Sequence, residues 1–247
     1  MTKAIFLLNQ TVPRWHFNQK NVSIFGFQQD PDYPYYLCTH FWVPPHVEQI
    51  HTALEVKKII CIRDLRDVMM TIAHKMLEGS WPGCNWQFPE TLKAFRELTP
   101  DERLLHVINF EYDPVPIREI RQFSFPLVFG QAIQYIQDPN VVVIRYEDLV
   151  GEKGNGSNAL QMRDLKRLAE ALNVNLSDEK LEEIASHLYG DRPNEERRLK
   201  RTDPQITFRK GKIGSWKEAF KEEHKRAFKE RYGKALILMG YETGYDW

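Results

Sequence analysis

The chain is poor in cysteine, in long apolar runs and in net charge, and each shortage removes a class of protein. Cys38, Cys61 and Cys84 are its only three cysteines. An odd count without paired spacing argues against a disulfide framework and a zinc site, and fits a reducing compartment. No apolar stretch approaches the length of a membrane span, and Ala4 to Leu8 is too short for the core of a secretion signal. Lysine plus arginine number 34 and aspartate plus glutamate 34, so the formal net charge is zero. That balance gives no electrostatic reason to expect nucleic acid or an acidic membrane surface as a partner. A nucleotide P-loop is also missing. The one Gly-dense stretch, Gly151-Glu152-Lys153-Gly154-Asn155-Gly156, lacks a Gly-Lys-Ser or Gly-Lys-Thr ending and reads as a flexible connection. His40, His46 and His51 follow at spacings of six and five, but no carboxylate pattern joins them into a metal site, and no metal is expected.

What is present suits one α/β domain over residues 1–247. Apolar runs near Lys57 and Val141 alternate with helical stretches, the pattern of a parallel sheet covered by helices. Leu160 to Leu172 and Asp178 to Leu188 carry apolar residues at three and four spacing, as packing helices do, and Trp216 to Met239 continues likewise. Met1 to Leu8 reads as a helix. Trp81 to Phe129 is the least regular part, rich in aromatics and prolines, and reads as core or as a binding lid.

Two basic segments stand out. In the first, Ile59 to Ile62 is a short apolar run of the kind buried on both faces of a parallel sheet, and Asp64 to Asp67 is a polar turn. Asp67 is placed to cap a helix through Val68 to Leu77. Arg63 then lies at the carboxyl end of the strand, and Thr71, eight residues later, about one turn into the helix. A helix N-terminus with a guanidinium and a hydroxyl nearby makes a phosphate site, although the same residues also fit a strand-to-helix turn with a surface Arg. In the second, Arg209-Lys210-Gly211-Lys212-Ile213-Gly214-Ser215-Trp216-Lys217 combines two adjacent cations with two glycines. Such a loop brings backbone N–H groups close to an anion, or is simply a solvated basic surface.

Together these segments resemble the two 3′-phosphate-binding segments of the sulfotransferases that use 3′-phosphoadenosine 5′-phosphosulfate, above all the cytosolic type. There the first segment has an Arg and, eight residues on, a Ser; Thr71 keeps the hydroxyl. Tyr35 to His40 followed by Phe41-Trp42-Val43-Pro44 looks like the family's Thr-His element, 23 residues before Arg63. Val141 to Leu149 resembles its central strand ending in Tyr-Glu-Asp-Leu, and Phe228 to Tyr241 its last helix and tail. The likeness covers roughly Tyr35 to Tyr241.

The resemblance implies a P-loop-like three-layer fold with a central parallel sheet flanked by helices. It also implies transfer of a sulfuryl group from 3′-phosphoadenosine 5′-phosphosulfate to a hydroxyl or amine of a small apolar or aromatic acceptor. His40 takes the role of base. Arg63, Thr71, Arg209, Lys210 and Gly211 hold the 3′-phosphate, and Tyr189 stacks on the nucleoside. A cytoplasmic location goes with the cytosolic type, and a homodimer is compatible with it. One departure is large: the family's opening strand and Pro-Lys-Ser-Gly-Thr-like loop for the 5′-phosphosulfate are absent from these residues, and Cys38 stands where many members have Lys. The expectation is therefore an N-terminally incomplete domain, with a catalytically inactive nucleotide-binding or scaffold module as the alternative. A P-loop kinase is weaker than either, since no Lys-bearing loop or paired acidic metal site is evident.

Overall fold

The apolar runs at 58–62 and 141–145 pair as parallel strands, β1 (Lys58–Ile62) and β2 (Val141–Arg145), in the register Lys58↔Val141 to Ile62↔Arg145. The computed structural model describes residues 58–78, 89–109, 125–189 and 211–247. The helix expected at Met1–Leu8, His40, Arg209 and Lys210 lie outside those residues. Parallel pairing needs a long crossover. Its described part is α1 (Leu65–Glu78), α2 (Pro89–Glu97), α3 (Pro100–Asn109) and α4 (Phe125–Gln137). After β2 come a single helical turn, α5 (Tyr146–Leu149), then α6 (Asn158–Ala171), α7 (Asp178–Leu188), α8 (Trp216–Ala219) and α9 (Glu222–Leu238).

Because side chains alternate along a strand, the two faces of the sheet are sorted. Ile60, Ile62 and Val143 pack into one apolar cluster with α1, α3, α4 and α9. Ile59, Val142 and Ile144 pack into a second with α6 and α7. Helices on both faces of a parallel sheet make three layers, as the strand composition predicts. On α1 the buried positions Leu65, Met69, Ile72 and Met76 recur at four, three and four, one stripe of a helix. Serine caps start α6 and α7: Ser157 accepts from the Leu160 N–H and Ser177 from the Lys180 N–H.

Four local expectations change. The first helix begins at Leu65, and its cap is Asp64, whose carboxylate accepts the Arg66 N–H at 2.9 Å; Asp67 is buried and serves elsewhere. The Gly-dense connection is an ordered turn, with a 3-10 segment at Glu152–Gly154 closed by the Gly154 and Gly156 N–H groups donating to the Gly151 carbonyl. Part of the irregular stretch is helical, as α2, α3 and the start of α4. Trp216 to Met239 is two helices, because Phe220 and Lys221 take extended backbone and the Lys221 N–H donates to His224 Nδ1.

The chain's last turn is fixed by Gly240, whose φ of 71° ends α9 in a left-handed residue. Its N–H donates to Ile237 and that of Tyr241 to Leu236, the paired bonds of a Schellman motif.

Candidate functional site

In an open parallel sheet the carboxyl ends of the strands face the crevice where ligands bind. Arg63 leaves β1 and Tyr146 leaves β2 at neighbouring points, since their preceding residues Ile62 and Arg145 are paired. The Arg63 guanidinium lies over the Tyr146 ring, 4.4 Å from its centre, a cation–π contact. Its Nη2 donates to the Lys212 carbonyl at a long 3.4 Å. Its Nε is buried without a hydrogen-bond partner among the described residues. A buried cationic N–H left unpaired is costly, so this atom is suited to an anion.

The loop at 211–215 has no regular structure of its own. Gly211 and Gly214 sit at φ of 62° and 73°, where side-chain-bearing residues are strained. Three neighbours hold it. Tyr146 donates its hydroxyl proton to the Gly211 carbonyl at 2.7 Å, and burial pushes the Tyr146 pKa up, which keeps that proton in place. The Ile213 N–H donates to the Gly154 carbonyl at 3.0 Å. The N–H groups of Gly214 and Trp216 donate to the two oxygens of Asp67 at 2.7 and 3.1 Å. Burial pushes the Asp67 carboxyl above its usual range, against the opposite pull of those N–H groups and of Arg63.

Behind the loop lies a buried polar frame. Arg66 forks onto Asp64, meets Glu242 at 2.5 Å, and lies over the rings of Trp216 and Trp247, 3.7 and 4.4 Å from their centres. Glu147 accepts from the Asp64 N–H and from the Tyr241 hydroxyl, each at 2.9 Å, and its burial raises its pKa. Arg145 donates to the Met239 carbonyl at 2.8 Å and lies over the Tyr241 ring. The frame ties the β1–α1 turn, the end of β2 and the tail after α9 to one another. Among the described residues no group of three or more His, Cys, Asp or Glu could hold a metal ion, and no helix is long and apolar enough to cross a membrane.

The model of the sulfotransferase domain family matches residues 28–240. The chain belongs to this family. It is 32% identical over 120 residues to Sulfotransferase 6B1 of Mus musculus, covering 47% of this chain and 37% of that protein. Against Sulfotransferase 6B1 of Danio rerio it is 29% identical over 102 residues, 41% of this chain and 32% of the relative. The chain thus matches only about a third of the length of these curated relatives. Two solved structures share the fold. Retinol dehydratase in complex with androsterone and the inactive cofactor PAP aligns with a TM-score of 0.52 at 22% identity, over 84% of this chain and 54% of that one. Mouse sulfotransferase SULT7A1 complexed with PAP aligns at 0.51 and 19%, over 85% and 70%. The sulfotransferase fold accounts for the parallel strands and for the helices on both their faces.

Within this sulfotransferase domain the expected site residues fall as follows. Arg63 and Gly211 come together, joined through Tyr146 and the Lys212 carbonyl. Thr71 lies one helical turn beyond Asp67, and its hydroxyl donates to the Asp67 carbonyl at 3.0 Å, leaving its oxygen as an acceptor. Tyr189 ends α7 against Gly154, where an added Cβ would stand 2.9 Å from its ring, so it borders the residue that holds Ile213. Tyr146 and Asp67 are contacts that sequence reasoning missed. Both stand inside the quoted motifs, but their partners are 65 and about 147 residues away, beyond the reach of local pattern.

Proposed function

We propose that the chain forms a single sulfotransferase domain acting in sulfuryl transfer from 3′-phosphoadenosine 5′-phosphosulfate to a hydroxyl or amine of a small apolar or aromatic acceptor, in the cytoplasm. What supports this reading is the approach of Arg63 to the Gly211–Ser215 loop at the carboxyl ends of the strands, with the buried Arg63 Nε without a hydrogen-bond partner among the described residues. Arg63, Arg209 and Lys210 supply charge to the 3′-phosphate, Gly211 lets the backbone approach it, and Thr71 adds a hydroxyl. Tyr189 offers a ring to the nucleoside. None of these groups touches the bond that breaks; they fix position. His40, as a neutral imidazole, takes the proton of the acceptor while the new bond to sulfur forms and the bond from sulfur to the bridging phosphate oxygen breaks. Adenosine 3′,5′-bisphosphate then leaves. A homodimer is compatible with this arrangement.

Cys38, which stands where many members carry Lys, favours a second reading in which the domain binds the nucleotide without turning it over. Calorimetric titration with adenosine 3′,5′-bisphosphate tests what the two readings share. The wild type binds, and Arg63→Ala weakens binding by about 1.5 to 3 kcal/mol, the worth of a charged hydrogen bond. A wild type that does not bind, or an Arg63→Ala variant of unchanged affinity, removes the site. Turnover separates the readings: in the enzyme, His40→Ala abolishes transfer and leaves bisphosphate affinity intact.

A further inference from the structure

The Gly151–Gly156 stretch supplies no group to the donor site, yet it is too closely built for a mere connection. It follows α5 and doubles back at once, the Gly154 and Gly156 N–H groups donating to the Gly151 carbonyl at 3.1 and 2.8 Å. Gly151 at its start is left-handed, with φ of 62°, and the Glu152 N–H donates to the Asn158 side chain at 3.1 Å, which pins the turn to the start of α6. Gly154 is buried at its inner side. A Cβ there would stand 2.6 Å from Val150 Cβ and 2.9 Å from Tyr189 Cε2, closer than side chains approach. On one side, therefore, nothing but glycine fits between the turn and the Tyr189 ring. On the other, the Gly154 carbonyl accepts the Ile213 N–H at 3.0 Å, in the middle of the 211–215 loop. One residue without a side chain is the spacer between the ring and the loop.

We propose that Gly154 is a positioning residue that sets the separation between Tyr189 and the 211–215 loop, so that one nucleotide reaches the ring with its base and the loop with its 3′-phosphate. The ribose fixes the distance between those two groups, and a ligand with two linked contacts gains from both only where the spacing of the sites matches its own. The proposal rests on the donor-site reading above. Gly154 is assigned no contact with the nucleotide. Gly154 is not left-handed, so alanine at this position acts through its Cβ alone. That Cβ is a wedge: Val150 behind it is buried in the same turn, and either the ring or the carbonyl that holds Ile213 has to give.

The experiment measures affinity for adenosine 3′,5′-bisphosphate and for adenosine 5′-monophosphate, which lacks the 3′-phosphate, in the wild type, Gly154→Ala, Tyr189→Ala and the double variant. Gly154→Ala is expected to weaken the bisphosphate about three- to tenfold, the range of one neutral hydrogen bond, and the monophosphate less than about twofold, because a ligand without the 3′-phosphate is free to follow the displaced ring. Tyr189→Ala removes one of the two surfaces that Gly154 spaces. The double variant is therefore expected to lose less bisphosphate affinity than the two single losses together predict. Should Gly154→Ala not fold, Gly151→Ala strains the left-handed start of the same turn without touching Tyr189 or Ile213, and is expected to give the same selective loss. Equal losses for both nucleotides mean general loosening and overturn the proposal, as do additive losses in the double variant or wild-type bisphosphate affinity in Gly154→Ala. A wild type that binds neither nucleotide overturns the donor-site reading itself and this role with it, a result distinct from a wild type that binds while Gly154→Ala binds equally well.

Discussion

The two faces of the sheet are built from different materials. The α1, α2, α3, α4, α8 and α9 side buries Phe95, Phe129, Trp216, Phe220, Phe228 and Tyr232, whereas the α6 and α7 side is closed by Ile144, Leu149, Leu165, Leu168, Leu181 and Ile184, with no aromatic among its described residues. Aliphatic side chains packed between two amphipathic helices give a layer whose only demand is volume. The aromatic layer does more, because its rings carry polar neighbours: Trp216 follows the site loop directly, donates its N–H to Asp67 and stacks on Arg66. One layer supports the sheet, and the other also sets the site.

That contrast is breakable, and the largest effect is expected where the two duties meet. Trp216→Ala removes a buried ring contacting Phe220, Trp247 and Arg66, and should cost about 3 to 5 kcal/mol in denaturant unfolding. The fraction that remains folded should also bind adenosine 3′,5′-bisphosphate less well. Leu168→Ala, fully buried in the aliphatic layer, should cost about 2 to 5 kcal/mol and leave that affinity unchanged in folded protein. If Leu168→Ala weakens binding as much as Trp216→Ala, the division of labour is wrong.

Smaller changes sharpen it. Gly240→Ala forces a left-handed backbone on a residue with a Cβ, 3.0 Å from Arg145 Nη2, and is expected to lower stability by about 1 to 2 kcal/mol. A thermal midpoint equal to that of the wild type would show that the tail is not held as described. The smallest effect concerns Glu147, whose buried carboxyl has a folded pKa above its ordinary value. The folded state then binds the proton more tightly than the unfolded one. The cost of burying the charge is fully present above the raised value, and is relieved as pH falls through it toward the unfolded value of about 4.3. Glu147→Gln should lose this gain on acidification, so the stability difference between wild type and variant shifts toward the wild type from neutral pH downward. Parallel pH profiles would contradict the assignment.

The same contrast explains how far the sequence could be read. The aliphatic layer was legible: helices expected at Leu160 to Leu172 and Asp178 to Leu188 are found at Asn158–Ala171 and Asp178–Leu188, because apolar periodicity reports a single buried stripe. The aromatic layer was legible only in part, its helices near Val68 to Leu77 and within Trp216 to Met239 being expected but not their ends or the break between them. Periodicity runs through Trp216 to Met239 without a break, since Phe220 is apolar and buried on schedule while its backbone is extended. Asp67 reads as a helix cap because acidic residues commonly stand there, and only its distant partners reveal the other use. Arg66, a charge that pattern would leave in solvent, is buried because two rings and two carboxylates surround it. Pairing Arg63 with the Gly211 loop came from resemblance to a family, as no local rule joins residues so far apart.

A crystal structure of the protein with adenosine 3′,5′-bisphosphate bears most directly on the central claim. The account predicts the 3′-phosphate within hydrogen-bond distance of Arg63 Nε, beside Gly211, with Asp67 still holding Gly214 and Trp216. A phosphate bound away from Arg63, or one that displaces Asp67 from the loop, would contradict it.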